Sequence, residues 1–283
     1  MFQNKVNLYG TIIVSILVFI LVVFFIKRII LIATNAIEKS YAYFTKRPLF
    51  VHFYLIIKTL NEEQTNILDQ EFTFYNRLNE QQKAYFRHRV ARFIKEKEFI
   101  GRAGFIITKE VEVLVSATAI MLTFGFRNYI VKSISKILVY PTQYYSELNK
   151  VDHKGEFNAN LKTLVLSWDN FLDGYKIEDD KLNLGIHEFA HAIHFNSMYQ
   201  EDINSVIFID AFNEIRAMLR EDEPMKKKLV TSKYIRSYAF TNHFEFLAVI
   251  IETFIETPKV FESEFPEIYN KIKQMLNFKF SGY

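Results

Sequence analysis

The pattern His187-Glu188-Phe189-Ala190-His191 sets two imidazoles four residues apart with a carboxylate between them. On a helix, residues four apart lie one above the other on one face. Both rings can then reach a single metal ion while Glu188 stands beside it as the base for a metal-activated water. His194 continues the stripe, but at 1.5 Å rise per residue it lies about 10 Å along the axis from His187, too far to share one tetrahedral ion. It reads as a rim residue. A third histidine delivered after a Gly turn is excluded too, because no Gly follows His191 until Gly282. Cys is absent from the chain, which removes thiolate ligands, disulfides and cysteine nucleophiles, so the third protein ligand must be a downstream carboxylate. Glu214, in Phe212-Asn213-Glu214-Ile215, and Glu245, in Asn242-His243-Phe244-Glu245, are the two to weigh. Spacing does not choose between them. Each also has a plainer reading, Glu214 as a solvated helix residue and Glu245 as the N3 position of a helix capped by Asn242.

The elements that must hold these residues are legible in outline. Ile186, Phe189, Ala190 and Ile193 form an apolar stripe beside the histidines, so a helix carries the motif, with Asp179 or Asp180 as its cap. Phe244, Leu247, Ala248, Ile251 and Ile255 mark a second helix able to pack against it. Residues 77–100 alternate apolar and charged positions with helical spacing, and residues 110–124 read as a more buried helix. KILVY (136–140) and LKTLVL (161–166) have the β-branched look of short strands. The polar stretches 149–160 and 173–180 read as loops. The expected fold is therefore α+β and helix-rich, with Trp168, Asp169 and His243 as further polar or aromatic residues near the motif elements.

The chain has 283 residues, Lys+Arg 35 against Asp+Glu 32, and only 8 Gly and 5 Pro. That balance offers no concentrated positive field, so nucleic acid is not an expected partner. From Leu8 to Ile26 the sequence runs without a charge, close to the roughly 20 apolar residues needed to cross a bilayer, and Lys27 and Arg28 follow at once without a small-residue cleavage site. We read residues 1–28 as a membrane anchor spanning about 8–26, residues 29–73 as juxtamembrane and linker helices, and residues 74–283 as the domain that carries the chemistry. The stretch Leu49 to Ile57 is too short to span and reads as an interfacial or packing helix. Lys27, Arg28, Lys39, Lys46 and Arg47 outweigh Lys5, which predicts a single-pass protein with its domain in the cytoplasm.

Across residues 74–280, the segments YNRLNEQQKAYFRHRVARFIKEKEFIGRAGF, KILVYP, LVLSWDNFL, IHEFAHAIH and YAFTNHFEFLAVIIETFIETPKVFESEFPEIY, in that order, resemble the Mlc titration factor A family of zinc-dependent peptidases. The tail around Tyr238 and Glu245 is also similar to the catalytic domain of anthrax lethal factor; both are gluzincins. The resemblance implies a zincin-like domain with one Zn2+ held by His187, His191 and Glu245. It implies Glu188 as general base and Tyr238 as a hydroxyl near the scissile carbonyl, and so prefers Glu245 to Glu214. The implied activity is hydrolysis of peptide or protein substrates, an aminopeptidase-like mode included. The other implied role is regulatory, with the zinc domain sequestering a transcriptional regulator, the glucose repressor Mlc. The apolar N-terminal segment has no counterpart in that family pattern.

Overall fold

The computed structural model describes residues 2–146, 151–176, 182–280 and 282, and they form two compact units, residues 1–49 and 50–283. The first unit is one helix, α1 (Phe2–Thr45). Its apolar side chains from Ile12 to Ile32 are exposed apart from the half-buried Val23, and up to Ile26 they cover every face of the helix. It is long and apolar enough to cross a membrane. It stops where Lys46 takes a left-handed conformation (φ 55°), two residues before Pro48.

In the second unit, α2 (Glu62–Glu71), α3 (Thr73–Asn76) and α4 (Glu80–Glu96) lead into β1 (Glu98–Gly101), α5 (Lys109–Leu122) and β2 (Lys136–Tyr140). Then come β3 (Tyr144–Ser146), β4 (Val151–His153), β5 (Gly155–Asn158), β6 (Thr163–Ser167) and α6 (Trp168–Lys176). The C-terminal half is helical: α7 (Leu184–Met198), α8 (Ile203–Glu221), α9 (Glu223–Thr231), a 3-10 turn at Ser237–Phe240, α10 (His243–Glu256), α11 (Pro258–Glu264) and α12 (Pro266–Met275). This is a helix-rich α+β fold.

Helices α2 and α4 begin with matching capping boxes, in which Asn61 and Asn79 accept from the backbone N–H of Gln64 and Gln82, whose side chains accept in return. The sheet runs β1-β2-β6-β5, with β1, β2 and β6 parallel and β5 an antiparallel edge strand. Helix α5 supplies the right length of crossover between parallel β1 and β2, and residues Val113 to Leu122 of it are buried throughout. The fully buried strand β6 and helix α7 pack on the same core, where Gly185 lets Phe171 approach to within 2.5 Å of the place a Cβ would take.

Four expectations need correction. Leu49 to Ile57 is not helical. It is tied to α4 instead: Arg89 donates to the Val51 carbonyl and the Tyr54 hydroxyl, and the N–H of Lys58, the next residue, donates to His88 Nδ1. Residues 50–73 therefore belong to the body, and Leu68 and Phe72 sit in its core. The stretch expected as a loop from 149 contains β4 and β5, because Gly155–Asn158 finds ladder partners in Leu166–Thr163 despite its polarity; Asn149 and Lys150 lie outside the described residues. Residues 173–176 finish α6, and the rest of that expected loop, with Asp179 and Asp180, lies outside the described residues. The motif helix is capped by Asn183, whose side chain accepts from the Ile186 N–H at 3.0 Å.

Two cations, Arg89 and Lys97, are buried with no ion-pair partner among the described residues and donate to carbonyls instead. Arg89 is 0% exposed and donates to the carbonyls of Thr123 and Phe124 at 3.0 and 2.9 Å, with the Tyr129 ring 4.3 Å from its guanidinium. It thereby closes the C-terminal end of α5, where unpaired carbonyls collect partial negative charge. Lys97 donates to the Val131 and Ile134 carbonyls, and burial holds its pKa down to about 8.

Candidate metal centre

Helix α7 delivers its two histidines as the spacing predicts. The His187 and His191 rings stand 4.7 Å apart between centroids and nearly perpendicular, with their Nε2 atoms 3.1 Å apart. The third group comes from the first turn of α10. Asn242 caps that helix by accepting from the N–H groups of Phe244 and Glu245, so the Glu245 carboxylate, standing at N3, is turned toward the histidines. Its Oε2 lies 3.0 Å from His187 Nε2 and 3.5 Å from His191 Nε2. Asn242 alone supplies the cap, which leaves the Glu245 carboxylate facing the two histidines.

Those separations are informative. Ligand atoms at about 2.0–2.1 Å from one tetrahedral ion stand roughly 3.3 Å from each other along the edges of the tetrahedron. The three atoms of His187, His191 and Glu245 are spaced at that scale, and the trio can hold a metal ion. Glu214 is elsewhere, bridging α8 to α12 through Lys271.

The electrostatics fit a site built around positive charge. Burial opposes protonation of His187, yet the hydrogen bonds it donates to Glu245 and Glu252 more than offset it and push its pKa up to about 10. Burial raises the Glu245 pKa, but its hydrogen bonds to His187 and His191 carry it well below the carboxylate range. Glu188 is buried, and desolvation raises its pKa although the two histidines pull the other way. Above it passes β5: a Cβ at Gly155 would stand 3.0 Å from Glu188 Cγ, so a side chain here would displace the carboxylate. Tyr238, on the 3-10 turn, is half exposed, with its ring 6.1 Å from that of His187. Burial first, and then Glu245 beside its hydroxyl, push its pKa up to about 12, so the phenol remains a donor.

His194 is buried among the rings of Phe208, Phe212 and Phe244, and its Nδ1 has no partner among the described residues. It does not join the trio, as the rise along the helix predicts. His243 lies tilted against Phe244 at 4.1 Å, and Trp168 stacks on Phe171 at 5.3 Å. Residues 54–277 match the family of glucose-regulated metallopeptidases M90. The chain belongs to that family. It is also 24% identical over 230 residues to an uncharacterized protein of Synechocystis, covering 74% of this chain and 81% of that one.

Sequence reasoning missed Glu252 and Arg236. Glu252 is 1% exposed; its Oε2 lies 3.2 Å from His187 Nδ1 and is also bonded by Arg236, while its Oε1 accepts from the Asn183 N–H at 3.1 Å. Two signals pointed to it: Glu252 is the sole charge in the apolar run Leu247 to Ile255, and it stands seven residues after Glu245, on the same helix face.

Proposed function

We propose that the 50–283 unit is a zinc-dependent peptidase that hydrolyses peptide bonds, an aminopeptidase-like mode included, and that α1 anchors it to a membrane. The observation that carries the reading is the convergence of His187, His191 and Glu245 around a buried carboxylate, Glu188, on the same helix. The donor set, two imidazoles and one carboxylate without thiolate, is that of a catalytic zinc site with a position left open for water. A bound zinc ion supplies Lewis-acid polarisation of the substrate carbonyl and lowers the pKa of water. Glu188 then takes the proton of the attacking water as the carbon–oxygen bond forms, and passes it to the amine nitrogen as the carbon–nitrogen bond breaks. Its burial, which raises its pKa, suits a group that must hold that proton in between. Tyr238 donates its hydroxyl to the carbonyl oxygen as negative charge develops there.

The edge strand β5 beside Glu188 supports a peptide substrate, since an extended chain can add to such an edge through main-chain hydrogen bonds. A role limited to sequestering a partner would give no use for a buried base between the two histidines. In the membrane, Lys27, Arg28, Lys39, Lys46 and Arg47 on the C-terminal side of the span support a cytoplasmic catalytic unit. A reporter fused at Tyr283 should be active on the cytoplasmic side, and activity confined to the other side overturns that orientation. The peptidase reading is tested with Glu188→Gln in the purified full chain: zinc content should stay at parent level while turnover falls at least about 10²-fold. Unchanged turnover ends it.

A further inference from the structure

Three side chains beside the centre are linked in series, and the backbone carries the link on to a fourth. His187 Nδ1 meets Glu252 Oε2; the same oxygen is bonded by Arg236; Arg236 stands two residues before Tyr238; and the Tyr238 ring packs beside that of His187. The second Glu252 oxygen accepts from the Asn183 N–H, at the residue that caps the motif helix. One carboxylate thus touches the start of α7, the first metal ligand and the segment that carries the tyrosine.

A carboxylate this deeply buried needs a counter-charge and filled lone pairs, and Arg236 and the Asn183 N–H provide both. A ligand histidine is oriented by what its second ring nitrogen bonds, and here that is Glu252. The 3-10 turn is held to α10 by the Tyr238 hydroxyl beside Glu245 and by Phe240 against Phe246, but among its own residues only Ala239 is buried and its N-cap Arg236 gives it no side-chain cap, so the Arg236–Glu252 pair is what ties the start of the turn to the interior. We infer that Arg236 and Glu252 are positioning residues that lock Tyr238 and His187 into one geometry, so that the arrangement of the metal ligands and the placement of the oxyanion donor are set together. The part concerning Tyr238 rests on the peptidase reading; the part concerning His187 does not.

The test uses the full chain in detergent with Glu252→Gln, Arg236→Ala, Arg236→Lys, Tyr238→Phe and the two double variants that pair Arg236→Ala with Glu252→Gln and with Tyr238→Phe. Zinc affinity is measured by chelator competition, and amide hydrogen exchange across residues 236–242 is followed in the metal-free chain. Glu252→Gln should weaken zinc about 10- to 100-fold. Arg236→Ala should weaken it less and speed exchange of the 3-10 turn, and its double variant with Glu252→Gln should match Glu252→Gln alone. Additive losses would show that Arg236 does not act through Glu252 and would overturn the proposal.

In turnover, Arg236→Ala should lower kcat with KM held within about twofold, add little to Tyr238→Phe, and be partly restored by Arg236→Lys or by free guanidinium. A multiplied loss in that double variant removes the link to Tyr238. If Glu252→Gln does not fold, exchange of the 3-10 turn and the Arg236/Tyr238 cycle still decide. A parent chain that binds zinc with the expected affinity cycle but hydrolyses no peptide would sink the peptidase reading and leave the positioning of His187 standing.

Discussion

Arg89 and Glu252 are both almost wholly buried, at 0% and 1% exposure, and the molecule treats them in opposite ways. Arg89 meets carbonyls, a phenol and aromatic faces, all neutral, and every contact is internal to the scaffold. Glu252 meets another charge and an imidazole whose far nitrogen faces His191 and Glu245. The first network ends in itself, while the second ends at a cluster of donor atoms suited to an ion. Burial of a charge is therefore a poor guide to function alone. What separates the two is whether the chain of contacts closes on the backbone or on ligand atoms.

The comparison is broken most directly by removing Glu245, the proposed third ligand. Outer contacts to a metal ligand are worth about 10- to 100-fold in affinity, so deleting a ligand should cost more, on the order of 10³-fold. Glu245→Ala should purify zinc-poor and Glu214→Ala zinc-replete by metal analysis. The reverse result would mean that the site assembles around Glu214 in solution, and the Tyr238 assignment would fall with it.

Next in size is the scaffold side. Arg89→Met keeps much of the volume but leaves the Thr123 and Phe124 carbonyls without their donor, which should cost about 3 kcal/mol of unfolding free energy. Zinc affinity should not move. Glu252→Gln should show the opposite split, with zinc affinity lowered about 10- to 100-fold and a smaller loss of stability than in Arg89→Met. Matching losses in both quantities for either variant would erase the distinction between the two networks. Smaller again is Tyr238→Phe, which should retain zinc and slow turnover on the order of 10²-fold if the phenol stabilises the oxyanion. Parent-like turnover would leave the hydroxyl without a catalytic part.

How much of this was legible in the sequence follows from the range of the forces involved. The face shared by His187 and His191 is a property of one helix, fixed by 3.6 residues per turn, and could be read directly. The cap at Asn242 was equally local. Glu252 was hidden because its partners, Asn183, His187 and Arg236, lie 69, 65 and 16 residues away and meet only after packing. The strand β5 was misread for a related reason: GEFN has the composition of a loop, and only its pairing with β6 makes it a strand. Leu49 to Ile57 looks like a helix by apolar content, but it runs as non-helical chain that α4 grips at the Val51 carbonyl, the Tyr54 hydroxyl and the N–H of the following Lys58.

The smallest expected effect concerns acid and sharpens what the Arg89 network can tolerate. His52 stacks on Tyr85 at 4.6 Å, and its Nε2 is buried with no partner among the described residues. Burial, then the charge of Arg89, hold its pKa down to about 3 from an ordinary 6.5. His194, in its aromatic nest, is held down to about 4, chiefly by burial. In the unfolded chain both imidazoles take up a proton as pH falls through about 6.5, whereas in the folded chain neither does until about 3 to 4. Between those limits the unfolded state binds more protons, so stability must fall as pH falls across that window and level off above it. His52→Phe keeps the stack on Tyr85 and removes one of the two sites. Its unfolding free energy, followed by denaturant titration from pH 7 to pH 4, should therefore lose about one proton's worth of slope. An unchanged slope would mean that the site beside Arg89 accepts a second positive charge after all, and that neutrality is not what the scaffold network requires.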